Sequence, residues 1–405
     1  MKFYDDTEGL TEARGFFCAG VHCDVRGKRD GRLDLGIVFS RRPCSAAGVF
    51  TTNDVKAAPV LLGMQTLQAG KEFHAVVANS GNANACTGQQ GETNARTMGS
   101  ETARQLDLKP EQVFVCSTGR IGEPMPMSRI TAGIHEAVED LKDEIDGGRS
   151  FQEAILTSDT TTKSCLAKFE TPEGVVSVAG VAKGSGMIQP DMATMLAFLT
   201  TDASISHELL QKVLSSANAK SFNRITIDGD MSTNDTVLIL ANGFSGVSIS
   251  EEDSQTLSSF QEAVERVCNR LALKMVGDGE KVTKLVELSV EGAPDPESAE
   301  KVARSIANSL LVKTSWYGSD PNWGRIVDAA GYAKTGINFK NLDLQYDECK
   351  VLEKGKRIQA NKDKWKEIVS RNKFSITIDL NMGNDSCRLL TTDLSEAYVD
   401  FNKSE

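Results

Sequence analysis

Apolar and polar positions switch between two periods along this chain. The stretches "FHAVVANSG" (73–81) and "QVFVCSTG" (112–119) are short apolar runs closed by turn residues, the pattern of buried strands. Between them, Ala95, Met98, Ala103 and Leu106 recur at helical spacing, and Ile130, Ile134, Val138, Leu141 and Ile145 predict one further helix. Ser206 is placed to cap a helix with Leu209, Leu210, Val213, Leu214 and Ala217 on one side. "FNRITIDGD" (222–230) and "TVLILANG" (236–243) read as strands, and Leu257, Phe260, Val264, Val267 and Leu271 as a helix. "TKLVELSVEG" (283–292) is a strand, and Ile306 and Leu310 fall on a helix that Asp295 or a neighbour starts. The last apolar segment, 373–395, alternates around "NMGND" and predicts a hairpin. The expected fold is mixed α/β, sheets with hairpins and packed helices, not a simple parallel βαβ series. No fixed-period repeat or low-complexity linker interrupts it.

One stretch departs from this regularity. "KGSGMIQPDMATMLAFLTTDA" (183–203) runs from a lysine and a Gly-Ser-Gly loop, through a Pro-Asp turn, into an apolar strand that Thr194 opens. The plain reading is a turn followed by a β-branched residue. It has neither Walker A spacing nor a GxGxxG pattern, so it is a poor phosphate cradle. The chemical reading makes Thr194 a nucleophile. A threonine hydroxyl needs a base, and the threonine's own α-amine serves once the preceding peptide bond is cut. In a constrained loop the Thr194 hydroxyl reaches the carbonyl of Ala193 and forms an ester that water opens. Ala193 is small enough to allow the approach, and Pro190 restricts the chain upstream. The following strand then holds the new N-terminus in a sheet.

Composition narrows the function classes. The chain has 405 residues, 40% hydrophobic and 25% charged, enough for a large core. A net charge of −11 argues against a nucleic-acid surface, and short basic runs such as Arg41-Arg42 read as solvated faces. Nine scattered cysteines without a CxxC pair read as reduced thiols. His22, His74, His135 and His207 lie far apart, so no metal site is expected. The N-terminal "MKFYDDTEGLTEARGFF" has no apolar signal core, and no apolar run approaches membrane-spanning length. The expectation is a cytoplasmic protein.

Acyl transfer also needs donors for a tetrahedral oxyanion. Thr118-Gly119 follows a strand, where a backbone N–H and a hydroxyl can converge. Lys183 precedes the glycine loop, and Glu280 sits in a second glycine-flanked loop, "VGDGEKVTK". Each alone is a common turn or surface charge; together they are candidates for binding a charged substrate.

Seven segments in order, "VANSGNANACTG", "STGRIG", "ILTSDT", "KGSGMIQPDMATMLAFLTTDA", "IDGDMSTNDT", "GDGEKVTKLVE" and "GSDPNWGRIVDAAGY", resemble the ornithine acetyltransferase (glutamate N-acetyltransferase) family over nearly the whole chain. The resemblance implies transfer of the acetyl group of N2-acetylornithine to glutamate in arginine biosynthesis, by a ping-pong route through an acetyl-threonine. It implies a fold of the kind shared with DmpA-like self-processing aminopeptidases. It also implies self-cleavage between Ala193 and Thr194, giving an α chain (1–193) and a β chain (194–405), joined as α2β2. No cofactor is implied; acetyl-CoA is a donor substrate for some members. By the same resemblance, Thr194 is the nucleophile and Thr118 and Gly119 form the oxyanion hole. Thr157, Lys183, Thr194, Glu280, Asn402 and Ser404 bind substrate. Two departures stand out: "TSDT" replaces a threonine pair, and the chain ends "NKSE", where relatives reach a later Thr or Ser. The alternatives are an N-terminal-nucleophile amidohydrolase or aminopeptidase, an acetyltransferase of a secondary pathway, and an inactive amino-acid-binding relative.

Overall fold

The computed structural model describes residues 1–70, 72–189 and 195–403. They form two compact units. The first comprises Met1–Gly184, Asp191–Asn223 and Met231–Met275, the second Ser185–Pro190, Arg224–Asp230 and Val276–Glu405. Each contains sheets and packed helices, so the fold is mixed α/β. This division by contact differs in kind from a division by cleavage at residue 193.

In the first unit the main sheet runs in the order Lys2–Asp5, Lys163–Thr171, Gly174–Lys183, Leu196–Thr201, Thr236–Ala241, Leu35–Phe50, Phe73–Asn79, Val113–Ser117. Strand Phe16–Val21 pairs beside it with Leu35–Phe50. Leu196–Thr201 and Thr236–Ala241 are parallel neighbours, and every residue of both is buried. Such strands are covered on both faces, so they read as continuous apolar runs and not as alternation. Helix Ser254–Gly277 covers one face closely: a Cβ on Gly180 would lie 2.6 Å from Val267 and 2.9 Å from Leu271. Leu35–Phe50 serves two sets of partners, and its register shifts between Phe39 and Cys44, where Pro43 has no N–H for a ladder.

The second unit has a sheet in the order Lys356–Arg357, Cys349–Glu353, Asp343–Tyr346, Lys373–Asp379, Leu285–Ala293, Asp385–Thr392. Its strands alternate as the period-2 pattern predicts, with Val286, Leu288, Val290, Ile376 and Ile378 facing a core that contains Trp316 and Trp365.

Four expectations are corrected. The segments around "NMGND" are not a hairpin: Leu285–Ala293 lies between them, parallel to Lys373–Asp379 and antiparallel to Asp385–Thr392. The helix predicted over Ile130 to Ile145 is two, Met127–Glu139 and Ile145–Ala154. The break arises because Lys142 exchanges both backbone hydrogen bonds with Cys18, at 2.8 and 3.0 Å. Ile306 and Leu310 also lie on separate helices, Pro296–Ala307 capped by Asp295 and Leu310–Tyr317 capped by Ser309. Finally, "FNRITIDGD" is no strand. It begins as a 3₁₀ turn, makes single backbone bonds from Thr226 to Leu390 and from Ile227 to Ile188, and turns at Gly229 with φ +82°.

Candidate active site

Within the first unit, strand Gly174–Lys183 ends by carrying Lys183 into the interior, where it is 2% exposed. Its ammonium donates to Thr157 Oγ1 at 2.7 Å and to Thr118 Oγ1 at 3.4 Å, and lies 3.7 Å from Asp159 Oδ2. The Asp159 carboxylate also receives the Lys163 ammonium at 2.7 Å and the Gly184 N–H at 2.6 Å. Burial by itself raises this carboxyl, but the Lys183 and Lys163 charges and the hydrogen bonds outweigh it and hold it well below the ordinary carboxylate range. A buried ammonium is stable only with such partners, so Asp159 fixes Lys183 between two hydroxyls.

Thr118 follows strand Val113–Ser117 and is buried. Its N–H donates to the Asn79 carbonyl at 3.0 Å, which leaves the hydroxyl toward Lys183. Gly119 has φ +131°, and a Cβ there would lie 2.3 Å from the Gly81 carbonyl carbon. Only glycine fits this conformation and approach. The Gly119 N–H makes no hydrogen bond among the described residues. Buried asparagines satisfy the surrounding loop. Asn79 donates to the Asn82 carbonyl at 2.9 Å, and Asn234 to the carbonyls of Ala83 and Ser117 at 2.6 and 2.9 Å. This is the physical content of "VANSGNANACTG" and "STND": buried amide side chains that take up the polar groups of a non-repetitive backbone.

Asp235, in the same unit, accepts the Met195 N–H on Oδ1 at 2.8 Å. It is fully buried, and Oδ2 has no hydrogen-bond partner among the described residues. Burial pushes its carboxyl well above the usual range, against the opposing influence of the Met195 N–H, the Lys183 charge and nearby Ser232.

Within the second unit, Glu280 is half-buried and its N–H donates to the Ser185 carbonyl at 2.8 Å. Asn402, exposed just past helix Glu396–Phe401, donates to Glu280 Oε2 at 3.2 Å. A Cβ on Gly186 would come within 2.5 Å of the Glu280 carboxylate. Asp228 receives the N–H groups of Met187 and Ile188 at 2.6 and 2.8 Å, and Met187 is held at φ +56°.

The structure thus gathers Thr118, Thr157 and Lys183 in the first unit and pairs Glu280 with Asn402 in the second. Ala193, Thr194 and Ser404 lie outside the described residues. Asp159, Lys163, Asp228 and Asp235 escaped notice in the sequence. Asp159 stands in "ILTSDT", Asp228 and Asp235 in "IDGDMSTNDT", and Lys163 opens a strand whose next four residues are buried. An ionisable residue at the head of such a strand is the available signal.

Comparison with known proteins supplies the rest. The ArgJ family model matches residues 17–404. An arginine biosynthesis bifunctional protein ArgJ from Thermotoga neapolitana is 46% identical over 395 residues, covering 96% of this chain and 98% of the relative. That of Staphylococcus epidermidis is 42% identical, covering 96% of both. Among solved structures, ArgJ from Bacillus halodurans is 39% identical over 48% of this chain and 98% of its own, with a TM-score of 0.44. An ornithine acetyltransferase from Mycobacterium tuberculosis, complexed with ornithine, is 35% identical over 47% of this chain and 98% of its own, with a TM-score of 0.43. These findings make the protein an enzyme of the acyltransferase class, a glutamate N-acetyltransferase (ornithine acetyltransferase) of arginine biosynthesis. The chain belongs to the ArgJ family.

Proposed function

We propose that this enzyme carries an acetyl group from N2-acetylornithine to glutamate by a ping-pong route through Thr194. The hydroxyl of Thr194 attacks the acetyl carbonyl, ornithine departs, and glutamate takes the acetyl group from the threonine ester. Thr194 becomes competent when the Ala193–Thr194 bond is cut by its own hydroxyl, leaving an α-amine as the local base. Thr118 and Gly119 stabilise the oxyanion, Thr157 and Lys183 hold the shared α-carboxylate, and Glu280 with Asn402 and Ser404 meet the side chain. Chains 1–193 and 194–405 stay together as α2β2 in the cytoplasm. No cofactor is required.

The observation that carries this reading is the buried Lys183 ammonium between the Thr157 and Thr118 hydroxyls, one residue before the glycine loop. A desolvated cation held against the Thr118 hydroxyl, one residue before Gly119, suits a carboxylate and a developing oxyanion. The Gly119 N–H, without a hydrogen bond among the described residues, and its positive φ support the same assignment. The test has two parts. Denaturing mass analysis of purified protein should give two fragments that meet at Ala193/Thr194, while Thr194→Ala stays whole and inactive. Incubation with acetylornithine should yield ornithine in quantity only with glutamate present. Sustained release without glutamate would mean a hydrolase, and an intact, active chain would refute the N-terminal threonine.

A further inference from the structure

Two buried lysines share the Asp159 carboxylate unequally. Strand Lys163–Thr171 begins where strand Gly174–Lys183 ends, with Lys163 opposite Ala182, so the antiparallel register brings Lys163 and Lys183 to one end of the sheet. Both lysine side chains are almost wholly buried, and so is the carboxylate. Oδ1 accepts the Lys163 ammonium at 2.7 Å and the Gly184 N–H at 2.6 Å, while Oδ2 accepts the Thr157 N–H at 3.2 Å. The Lys183 ammonium stands 3.7 Å from Oδ2, beyond hydrogen-bonding distance, and donates to the Thr157 hydroxyl at 2.7 Å. Asp159 therefore orients both the backbone of Thr157 and the cation that its hydroxyl accepts.

This division has a physical reason. In a dry interior an ammonium and a carboxylate draw together to about 2.7–2.9 Å unless other donors already hold the carboxylate. Lys163 is such a donor, and it is anchored by a second bond to the Thr161 carbonyl at 3.1 Å. Both lysine charges help Asp159 stay ionised against its burial. Without Lys163, the carboxylate would lose its closest cation among these contacts and draw the flexible Lys183 stem across the gap. A substrate carboxylate would then compete with Asp159 for the Lys183 ammonium. We propose that Lys163 is a positioning residue for the substrate carboxylate. By engaging Asp159, it keeps the Lys183 ammonium off that carboxylate and turned toward the Thr157 hydroxyl. The inference rests on the reading above, in which Thr157 and Lys183 hold the α-carboxylate.

The experiment measures, by calorimetry near neutral pH, the binding of L-ornithine and of L-ornithine amide, which lacks the carboxylate. Wild type, Lys183→Met, Lys163→Met and the double variant Lys163→Met/Asp159→Asn are compared, and thermal melts confirm folding. Wild type should bind ornithine more tightly than the amide, and Lys183→Met should lose that preference. Lys163→Met should weaken ornithine about tenfold to a hundredfold, the scale of a hydrogen bond to a charged group, and leave the amide within about twofold. In the double variant the carboxylate that would capture Lys183 is neutral, so most of the preference should return. A merely structural Lys163 would weaken both ligands together, and the second substitution would add to the loss. Wild-type affinity for ornithine in Lys163→Met, or equal losses for the two ligands, overturns the inference and leaves the Lys183 reading intact. A preference that survives in Lys183→Met overturns both. If Lys163→Met does not fold, the double variant, which carries neither charge, decides: a wild-type preference for ornithine upholds the proposal, and its loss overturns it.

Discussion

At the residue scale the proposed chemistry rests on Lys183, a buried cation with two hydroxyl acceptors and a carboxylate within 4 Å. Lys183→Met keeps the bulk and leaves Asp159 paired with Lys163 at 2.7 Å. The fold should therefore survive, while kcat/KM falls about a hundredfold, since hydrogen bonds to a charged group are worth about 1.5–3 kcal/mol. Steady-state kinetics with acetylornithine and glutamate, beside a melt, check this; unchanged kinetics would assign Lys183 a structural role only. Glu280 makes a sharper distinction. A carboxylate that meets the ornithine side-chain ammonium repels the glutamate side chain at the same place. Glu280→Gln should thus raise the KM for acetylornithine, by an amount equivalent to about 2–5 kcal/mol if the contact is fully desolvated, and much less that for glutamate. Glu280 is only half-buried, which places the effect at the lower end. Equal losses for both substrates would mean a general role.

At the scale of elements, the site depends on where strands end. Strand Val113–Ser117 stops at Thr118-Gly119, where Gly119 takes φ +131° and leaves no room for a Cβ against the Gly81 backbone. Gly119→Ala would push a methyl to 2.3 Å from a main-chain carbon that cannot swing aside. The turn must open, at a cost of about 1–3 kcal/mol for the backbone strain alone. Since the displaced group is the proposed oxyanion donor, turnover should fall much further than the thermal midpoint. A variant that loses stability but keeps kcat would separate the turn from the chemistry. Strand Gly174–Lys183 likewise ends where Gly184 gives its N–H to Asp159, and strand Leu196–Thr201 is preceded by a residue fixed to Asp235. Carboxylates thus hold the two strand ends that border the glycine loop.

For the molecule as a whole, the buried Lys313 contributes a pH dependence of its own. In the second unit Lys313 is 2% exposed and donates to the Thr392 carbonyl at 2.5 Å and the Thr391 hydroxyl at 3.2 Å. Burial lowers it from 10.5 to about 7, although Asp228 and Asp393 pull the other way. The unfolded chain therefore binds more protons than the folded one between those values. By linkage, stability rises with pH across that window and is lost as pH falls toward 7. The denaturant midpoint of the wild type relative to Lys313→Met should rise from about pH 7 to 10, since the buried thiols, raised by burial and opposite in effect above their ordinary range, are common to both. An unchanged slope in the variant would place the dependence elsewhere. Asp159 acts in the same direction at the acid end: its lowered carboxyl contributes stability above 3.8 that is lost as pH falls through the folded value.

Much of this was legible in the chain. The strands around Ala75–Val77, Val115 and Leu238–Leu240, and the Ser206-capped helix, follow from local pattern, because burial on one or two faces writes its period directly into the residues. Lys183 and Thr118 stood out by chemistry and by resemblance, and Thr157 by resemblance. What local pattern could not carry is pairing at a distance. The two strands flanking "NMGND" look like a hairpin, yet Leu285–Ala293 lies between them, since an apolar face takes its best-fitting partner wherever the chain supplies it. The broken helix at Lys142 has the same origin, a backbone pair with Cys18 more than a hundred residues away. Asp159, Lys163 and Asp235 are ordinary polar letters in the sequence. They acquire meaning only when folding removes water and leaves each with a few particular neighbours. The sequence alone determined most of the elements and their order, the family and the nucleophile to test. The tertiary structure decided which charges are buried together, because desolvation depends on what packs around a group and not on the letters beside it.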